Sequence, residues 1–365
     1  MYKVKIYGAG SIGNHLAHAA RHLGWKVDIC DVDNNALSRT KNDIYPSRYG
    51  SWDNDIGLYL NDEVSSSGYD LIFIGTPPDS HISLALSAIT EKPKLILIEK
   101  PICEPSLKDS QMLIEHANKN NVKILVGYDH VVAKSTEKFC ELIKNKNMGD
   151  IETLDVEFRE HWGGIFNAHP WLAGPSDSYL GFWQRGGGAT GEHSHAINLW
   201  QHMSSVLGAG RIDKVSAMLN YVENNNLYYD KLASLNVRTE NGLVGRIVQD
   251  VVTSPPRKWA RAQGSGGYAE WCCGNQPNQD TINWGNNSDG ENSYTIEKTR
   301  PDDFIREMEH IGDIVEEVIY KSPISIEKGL DTMLVVAAAH LSNKEDRVVT
   351  IDYSKGYSLE ALSPH

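Results

Sequence analysis

The chain opens on Tyr2-Lys3-Val4-Lys5-Ile6-Tyr7-Gly8-Ala9-Gly10-Ser11-Ile12-Gly13, and the reading of this stretch decides the fold. Residues 2–7 are rich in β-branched and aromatic side chains and predict a strand. Gly8, Gly10 and Gly13 then fall in the G-x-G-x-x-G spacing, and residues 12–23 show the apolar period of a helix. A second strand pattern covers 26–30, with Asp31 at its end. The glycine spacing alone is a weak signal. Its place between strand and helix, with an acidic residue about twenty positions on, makes it a dinucleotide-binding turn. Gly8 permits the tight turn, Gly10 lets the backbone approach a pyrophosphate, and Gly13 lets helix and strand pack closely. The pyrophosphate is expected on the free N–H groups at the helix start, around Ser11 and Ile12. Asp31 is expected to accept hydrogen bonds from the adenosine ribose, with Asp33 as a competitor for that role. Its charge would repel a 2′-phosphate and no arginine directly follows it, so NAD is expected as cofactor in preference to NADP.

Outward from this unit, strand and helix patterns keep alternating. Compact apolar runs at 69–74, 95–99 and 123–128 read as strands, and 81–89 and 107–118 as helices. Such alternation predicts a parallel, doubly wound α/β sheet covered on both faces, a Rossmann domain over residues 1–130. After about Asn147 strands arrive without helices between them, at 151–158, 214–221, 232–239, 243–251 and 294–298. Residues 131–365 are therefore expected to form an α+β domain around a large, mostly antiparallel open sheet. Helices are expected at 196–206, 302–320 and 326–341, the last ending the ordered chain. The Asn- and Gly-rich stretch 274–292 reads as a long loop.

At 365 residues the chain is long enough for two such domains. Lys+Arg 35 against Asp+Glu 48 leaves a net charge of -13, which argues against nucleic acid or an anionic membrane as partner. No apolar run reaches membrane-span length, and the first residues lack the pattern of a secretion signal. Five scattered cysteines, Cys30, Cys103, Cys140, Cys272 and Cys273, do not make a disulfide framework, so a reducing cytoplasm is expected.

Two more segments, Gly75-Thr76-Pro77-Pro78-Asp79-Ser80-His81 and Glu99-Lys100-Pro101, each follow a core strand. Ligands bind beyond the carboxyl ends of the strands in an open α/β sheet, so both lie on the rim that carries the glycine turn. Lys100 follows the apolar run Leu95-Ile96-Leu97-Ile98, and a lysine at the mouth of an apolar site can move a proton. With the glycine turn at 8–13, Thr76-Pro77-Pro78, His81 and Glu99-Lys100-Pro101, and a mostly antiparallel second half, the sequence resembles the glucose–fructose oxidoreductase / inositol dehydrogenase (Gfo/Idh/MocA) family of NAD(P)-dependent oxidoreductases. The resemblance covers nearly the whole chain. It implies that Lys100 lies near the hydride-transfer centre, and that Thr76, Pro77, His81 and Glu99 border the nicotinamide. It also implies that the open sheet joins subunits into a homodimer or homotetramer.

Members of that family carry three glycines, then an Asp, then a His at the start of a helix. The corresponding run here is Gly186-Gly187-Gly188-Ala189-Thr190-Gly191-Glu192-His193-Ser194-His195-Ala196-Ile197-Asn198. Counted forward from the glycines, Glu192 takes the acidic position and Ala196 that of the His. Counted back from Asn198, His195 takes the His position and Gly191 the acidic one. His195 is favoured as the catalytic partner of Lys100. Glu192 is either the acidic third member or a charge favoured by the helix dipole. Oxidising an alcohol needs a group for the hydroxyl proton and a hydride acceptor, and Lys100 and His195 are expected to serve the first need. His193 is expected to be structural. Glu192, His193 and His195 have no second ligand cluster and Cys272-Cys273 lacks zinc spacing, so no metal is expected.

An aromatic concentration at 161–185 is expected to lie over the pocket. Trp162 would meet a sugar ring there, and Arg185 would bind a carboxylate or phosphate. His130, in Tyr128-Asp129-His130 at another strand end, is also expected to reach the substrate. These residues point to an NAD-dependent dehydrogenase of a sugar, amino sugar, nucleotide-linked sugar or cyclitol, a small carbohydrate-like molecule. Two alternatives stay open. One is an NAD-dependent glycosidase or lyase that recycles its hydride internally, the other a regulator that senses NAD or sugar without turnover.

Overall fold

Six strands, β1 (Lys3–Tyr7), β2 (Lys26–Asp31), β3 (Ile56–Leu60), β4 (Leu71–Ile74), β5 (Leu95–Glu99) and β6 (Lys123–Gly127), pair in parallel in the order β3-β2-β1-β4-β5-β6. The computed structural model describes residues 1–145, 148–167, 169–224, 226–286 and 290–365. Asn147, where the pattern of elements changes in sequence, lies outside the described residues. The strand order reverses between β1 and β4, the point at which such a sheet opens a crevice at its carboxyl ends. Every residue of β4 and β5 is buried, as apolar strands covered on both faces must be. Helices Ser11–His22, His81–Ile89 and Ser110–Asn120 run between the strands. Sequence reading missed β3, which is short and mostly half-buried at the sheet edge and so shows neither a buried run nor clean alternation.

The second sheet has ten strands: β7 (Ile151–Arg159), β8 (Ile212–Asn224), β9 (Leu227–Thr239), β10 (Val244–Asp250), β11 (Arg257–Gly264), β12 (Gly267–Gln276), β13 (Gln279–Asn286), β14 (Gly290–Glu297), β15 (Val349–Ile351) and β16 (Leu362–Pro364). Their order is β14-β13-β12-β11-β7-β10-β9-β8-β15-β16, antiparallel except for the parallel pair β7 and β10. Helices His195–Val206 and Ile326–Glu345 pack on this sheet. Trp200 is fully buried there, and its indole N–H donates to the Leu154 carbonyl at 2.7 Å.

Two expectations change. Residues 274–292 are not a long loop. β12 continues to Gln276, a turn with Asn278 at φ 59° leads into β13, and β14 starts at Gly290, while residues 287–289 lie outside the described residues. The Asn and Gly content reflects the sheet edge, where β14 is almost wholly exposed and polar side chains suffice. The helix at 326–341 does not end the ordered chain either. After Ile326–Glu345 the chain returns as β15 and β16 beside β8. β11 also went unread, because its inward positions are the small Ala260 and Ala262 between longer polar residues.

One apolar core runs through both sheets and their helices. The chain also crosses back onto the first sheet. The Val126 N–H donates to the Ile324 carbonyl at 2.8 Å and Leu125 bridges Ser325, closing the outer edge of β6.

Candidate active site

A cleft of about 1160 Å³ opens at the carboxyl ends of the first sheet and reaches the helices that cover the second. At one end lies the glycine turn. Gly8 sits at φ +102°, and a Cβ there would stand 2.8 Å from the Gly75 carbonyl oxygen. A Cβ on Gly13 would collide with the carbonyl of Gly8, whereas Gly10 has open space beside it. Gly10, Ser11 and Ile12 line the cleft at the start of the Ser11–His22 helix, whose first N–H groups have no intrahelical acceptor. The Asp31 carboxylate accepts from the N–H groups of Ala9 at 2.7 Å and Asp33 at 2.9 Å, so it holds the turn as well as standing at the strand end. Asp33 caps the Asn34–Arg39 helix by accepting from the Asn35 N–H.

Three cleft-lining arginines escaped the sequence reading: Arg39, Arg48 and Arg300. No motif marks them, since they come from separate helical segments. Arg48 donates to the Ser11 carbonyl at 2.8 Å and to its hydroxyl at 2.7 Å. A helix N-terminus, an open glycine and these guanidinium groups together fit a dinucleotide diphosphate.

Thr76, Pro77, Glu99 and Lys100 line the middle of the cleft. His81 does not. It is fully buried, with one ring nitrogen 2.6 Å from the Thr76 carbonyl and the other 3.0 Å from that of Pro101. It ties the two rim segments together. Burial lowers its pKa to about 4, against the carbonyls that favour its charged form.

The Lys100 ammonium donates to the Glu192 carbonyl oxygen at 2.9 Å and pairs with the Glu192 carboxylate at 3.2 Å. Burial would push the Glu192 carboxyl up, but the adjacent Lys100 and His193 outweigh it and hold it below the usual range. The helix over the motif is broken. One turn, Gly188–Glu192, ends at Glu192, and a new helix starts at His195. Both residues reach the cleft from opposite sides of that break, so both ends of the motif are present without one helix face joining them. His193 lines the cleft too, with burial lowering its pKa to about 4. The His195 Nδ1 stands 3.8 Å from an Asp129 carboxylate oxygen, and its ring is 4.9 Å from that of His130. Burial holds the pKa of both imidazoles well below the usual range.

Two expected substrate groups lie elsewhere. Trp162 is not part of the cleft lining; it packs at 5.6 Å against both Phe166 and Tyr229 in a small satellite core. Arg185 points away and pairs with Asp79 at 2.6 Å. The stretch 161–185 does border the cleft, through Ile165, Trp171 and Tyr179. Which rings turn inward depends on a short helix and tight turns that composition does not reveal.

Glu99 is buried beside Lys100, and its pKa is pushed up to about 8 by burial and then by Asp129. Behind it Glu307 is fully buried with neither carboxylate oxygen hydrogen-bonded, and burial, then Glu99, raises its pKa well above the usual value. Folded chains thus retain these protons at a pH where unfolded chains have released them. The unfolded state then binds fewer protons, so folding stability falls as pH rises from about 4.5 towards 8. Glu307→Gln removes this penalty. A thermal melt should show a gain of about 1–2 kcal/mol at pH 8 that vanishes near pH 4. An equal effect at both pH values would contradict the buried, protonated acid.

Residues 2–128 match the model of an oxidoreductase family with an NAD-binding Rossmann fold, Gfo/Idh/MocA. The N-terminal third of the chain is thus similar to the NAD-binding domain of that family. A curated relative, oxidoreductase P35 from Formosa agariphila, is 26% identical over 119 residues, 32% of this chain and 35% of the relative, so the match spans about a third of that protein. Among solved structures, levoglucosan dehydrogenase with NADH superposes with a TM-score of 0.76 at 16% identity, covering 96% of this chain and 98% of that one. A putative myo-inositol dehydrogenase from Sinorhizobium meliloti gives a TM-score of 0.72 at 19% identity, covering 96% and 99%. At these identities the likeness is one of fold, and it extends over both sheets.

Proposed function

We propose that the chain is a cytoplasmic NAD-dependent dehydrogenase that acts on a hydroxyl-bearing carbon of a sugar, amino sugar, nucleotide-linked sugar or cyclitol. The observation that carries the reading is the Lys100–Glu192 pair, set at the end of β5 in the same cleft as the glycine turn. NAD, when bound, supplies the hydride acceptor. Ser11, Ile12 and Arg48 hold its diphosphate end, and Thr76, Pro77 and Glu99 border the end where chemistry occurs. Lys100 donates to the substrate oxygen, and Glu192 keeps the ammonium aimed into the cleft. The released proton is taken by the uncharged His195 imidazole. Phe158, Trp171 and Tyr179 line the cleft and suit the apolar face of a ring bearing several hydroxyls. Fold neighbours described as acting on levoglucosan and myo-inositol support that substrate class. Subunit contact is assigned to the outer face of the ten-stranded sheet, where Met218 is 77% exposed.

The test is a panel of sugars, sugar nucleotides and cyclitols with NAD, read by absorbance of the reduced nicotinamide. Steady formation of NADH with one class supports the proposal. A chain that binds NADH but forms none with any member of the panel would falsify it. Reduced cofactor that appears once per active site without net accumulation favours the hydride-recycling alternative.

A further inference from the structure

We infer that Asp129, His130 and His195 form a binding site for one divalent transition-metal ion, of which zinc is the representative. One ligand atom from each lies within 4.8 Å of the other two. Asp129 and His130 come from the short Asp129–Val132 helix after β6, and His195 opens the helix His195–Val206. The three are thus brought together across more than sixty residues of sequence, which is why no ligand spacing announces them.

The independent observation is the state of the imidazoles. The Nδ1 atoms of His130 and His195 are both shut off from solvent and have no hydrogen-bond partner in the described structure. His130 itself is 9% exposed. Buried polar nitrogens without partners are costly and rare, and one ion would satisfy both. The nearest acceptor for His195 Nδ1 is the Asp129 oxygen at 3.8 Å, too far for a hydrogen bond. Tetrahedral ligands at ~2.0–2.3 Å from zinc stand roughly 3.5 Å apart, so small ring and carboxylate rotations close the set.

The surroundings are built for it. Asp129 accepts from the His130 N–H at 2.8 Å, which orients the carboxylate. Phe158 lies along the His195 ring at 6.1 Å, and Tyr128 meets it edge-on at 5.5 Å. The lysines that act on these imidazoles already have carboxylate partners, Lys100 with Glu192 at 3.2 Å, Lys258 with Glu160 at 3.4 Å and Lys298 with Asp303 at 2.7 Å. Two imidazoles and one carboxylate favour zinc, iron or cobalt over magnesium or calcium, which want oxygen ligands. All three residues also border the cleft. With an ion bound, His195 is a ligand and is no longer free to take a substrate proton; only this last point rests on the dehydrogenase reading.

The test needs no NAD. The full chain, stripped with a chelator, is titrated with zinc by calorimetry and with cobalt by visible absorption. Expected are about one zinc per chain with micromolar or tighter affinity and a cobalt ligand-field band. His130→Ala and Asp129→Asn should each weaken zinc binding by at least ~100-fold, while His116→Ala, on an exposed helix, should not. If either variant fails to fold, His195→Gln and the cobalt spectrum of the unaltered chain decide. The inference is overturned if zinc binds no tighter than millimolar, or if tight binding survives these substitutions. A chain that binds NADH normally but no zinc refutes the metal site alone and leaves the dehydrogenase reading standing.

Discussion

Lys100→Met is expected to lower kcat/KM by about 10³-fold while leaving the Kd for NADH within about threefold. Among the described residues it is the only lysine side chain bonded to the 186–198 segment, with its ammonium on both the carbonyl and carboxylate oxygens of Glu192. It is 12% exposed, so little water is available to replace it as a donor to the substrate oxygen. Methionine keeps the length and apolar stem but removes donor, charge and proton. The loss should therefore fall on kcat, because the interaction strengthens as charge develops on the oxygen. The residues proposed to hold the diphosphate, Ser11, Ile12 and Arg48, lie at the other end of the cleft and are left intact. Fluorescence titration with NADH and steady-state rates on the substrate class found by the panel separate the two effects. Activity within tenfold of the unaltered chain would remove Lys100 from the chemistry.

Gly13→Val should abolish measurable NADH binding and destabilise the fold by about 3 kcal/mol. The added carbon has no room, since the Gly8 carbonyl occupies its place. That carbonyl cannot yield freely. The Gly8 N–H is bonded to Cys30 at 2.8 Å and the next residue, Ala9, is held by Asp31 and by Thr40. Helix and strand must separate, and the diphosphate cradle separates with them. Gly10→Ala makes the contrast, because a Cβ there meets nothing within 4 Å. Its melting temperature should stay close to that of the unaltered chain while NADH binding weakens, since the methyl group fills the space a phosphate approaches. Equal losses of stability in both variants would contradict this division of roles.

Much of this site is legible in the sequence, and the reasons are local. The glycine turn, Asp31 and Lys100 each depend on a short stretch whose strand and helix signals agree, so spacing carries geometry. β4 and β5 were visible because a strand buried on both faces is an unbroken apolar run. The missing parts depend on distant pieces of chain. Arg300 and Asp129 come to the cleft only through the packing of the Arg300–Val315 helix and the short helix after β6. Trp162 and Arg185 show the reverse: the right segment, but side chains whose direction is set by turns that composition cannot specify. The strands within 274–292 were hidden because an exposed sheet edge places few demands on hydrophobicity.

The hydrogen bond from Val126 to Ile324 and the bridge from Leu125 to Ser325 bear on how the protein is made. The ribosome delivers residue 127 nearly two hundred residues before the segment that covers that strand. Throughout that interval the nascent first sheet carries a bare, apolar margin, the kind of surface that recruits a neighbour on the same polysome. Holding factors that shield emerging chains would then matter more for its yield than for its final stability, and a fragment stopping near residue 130 should be prone to self-association.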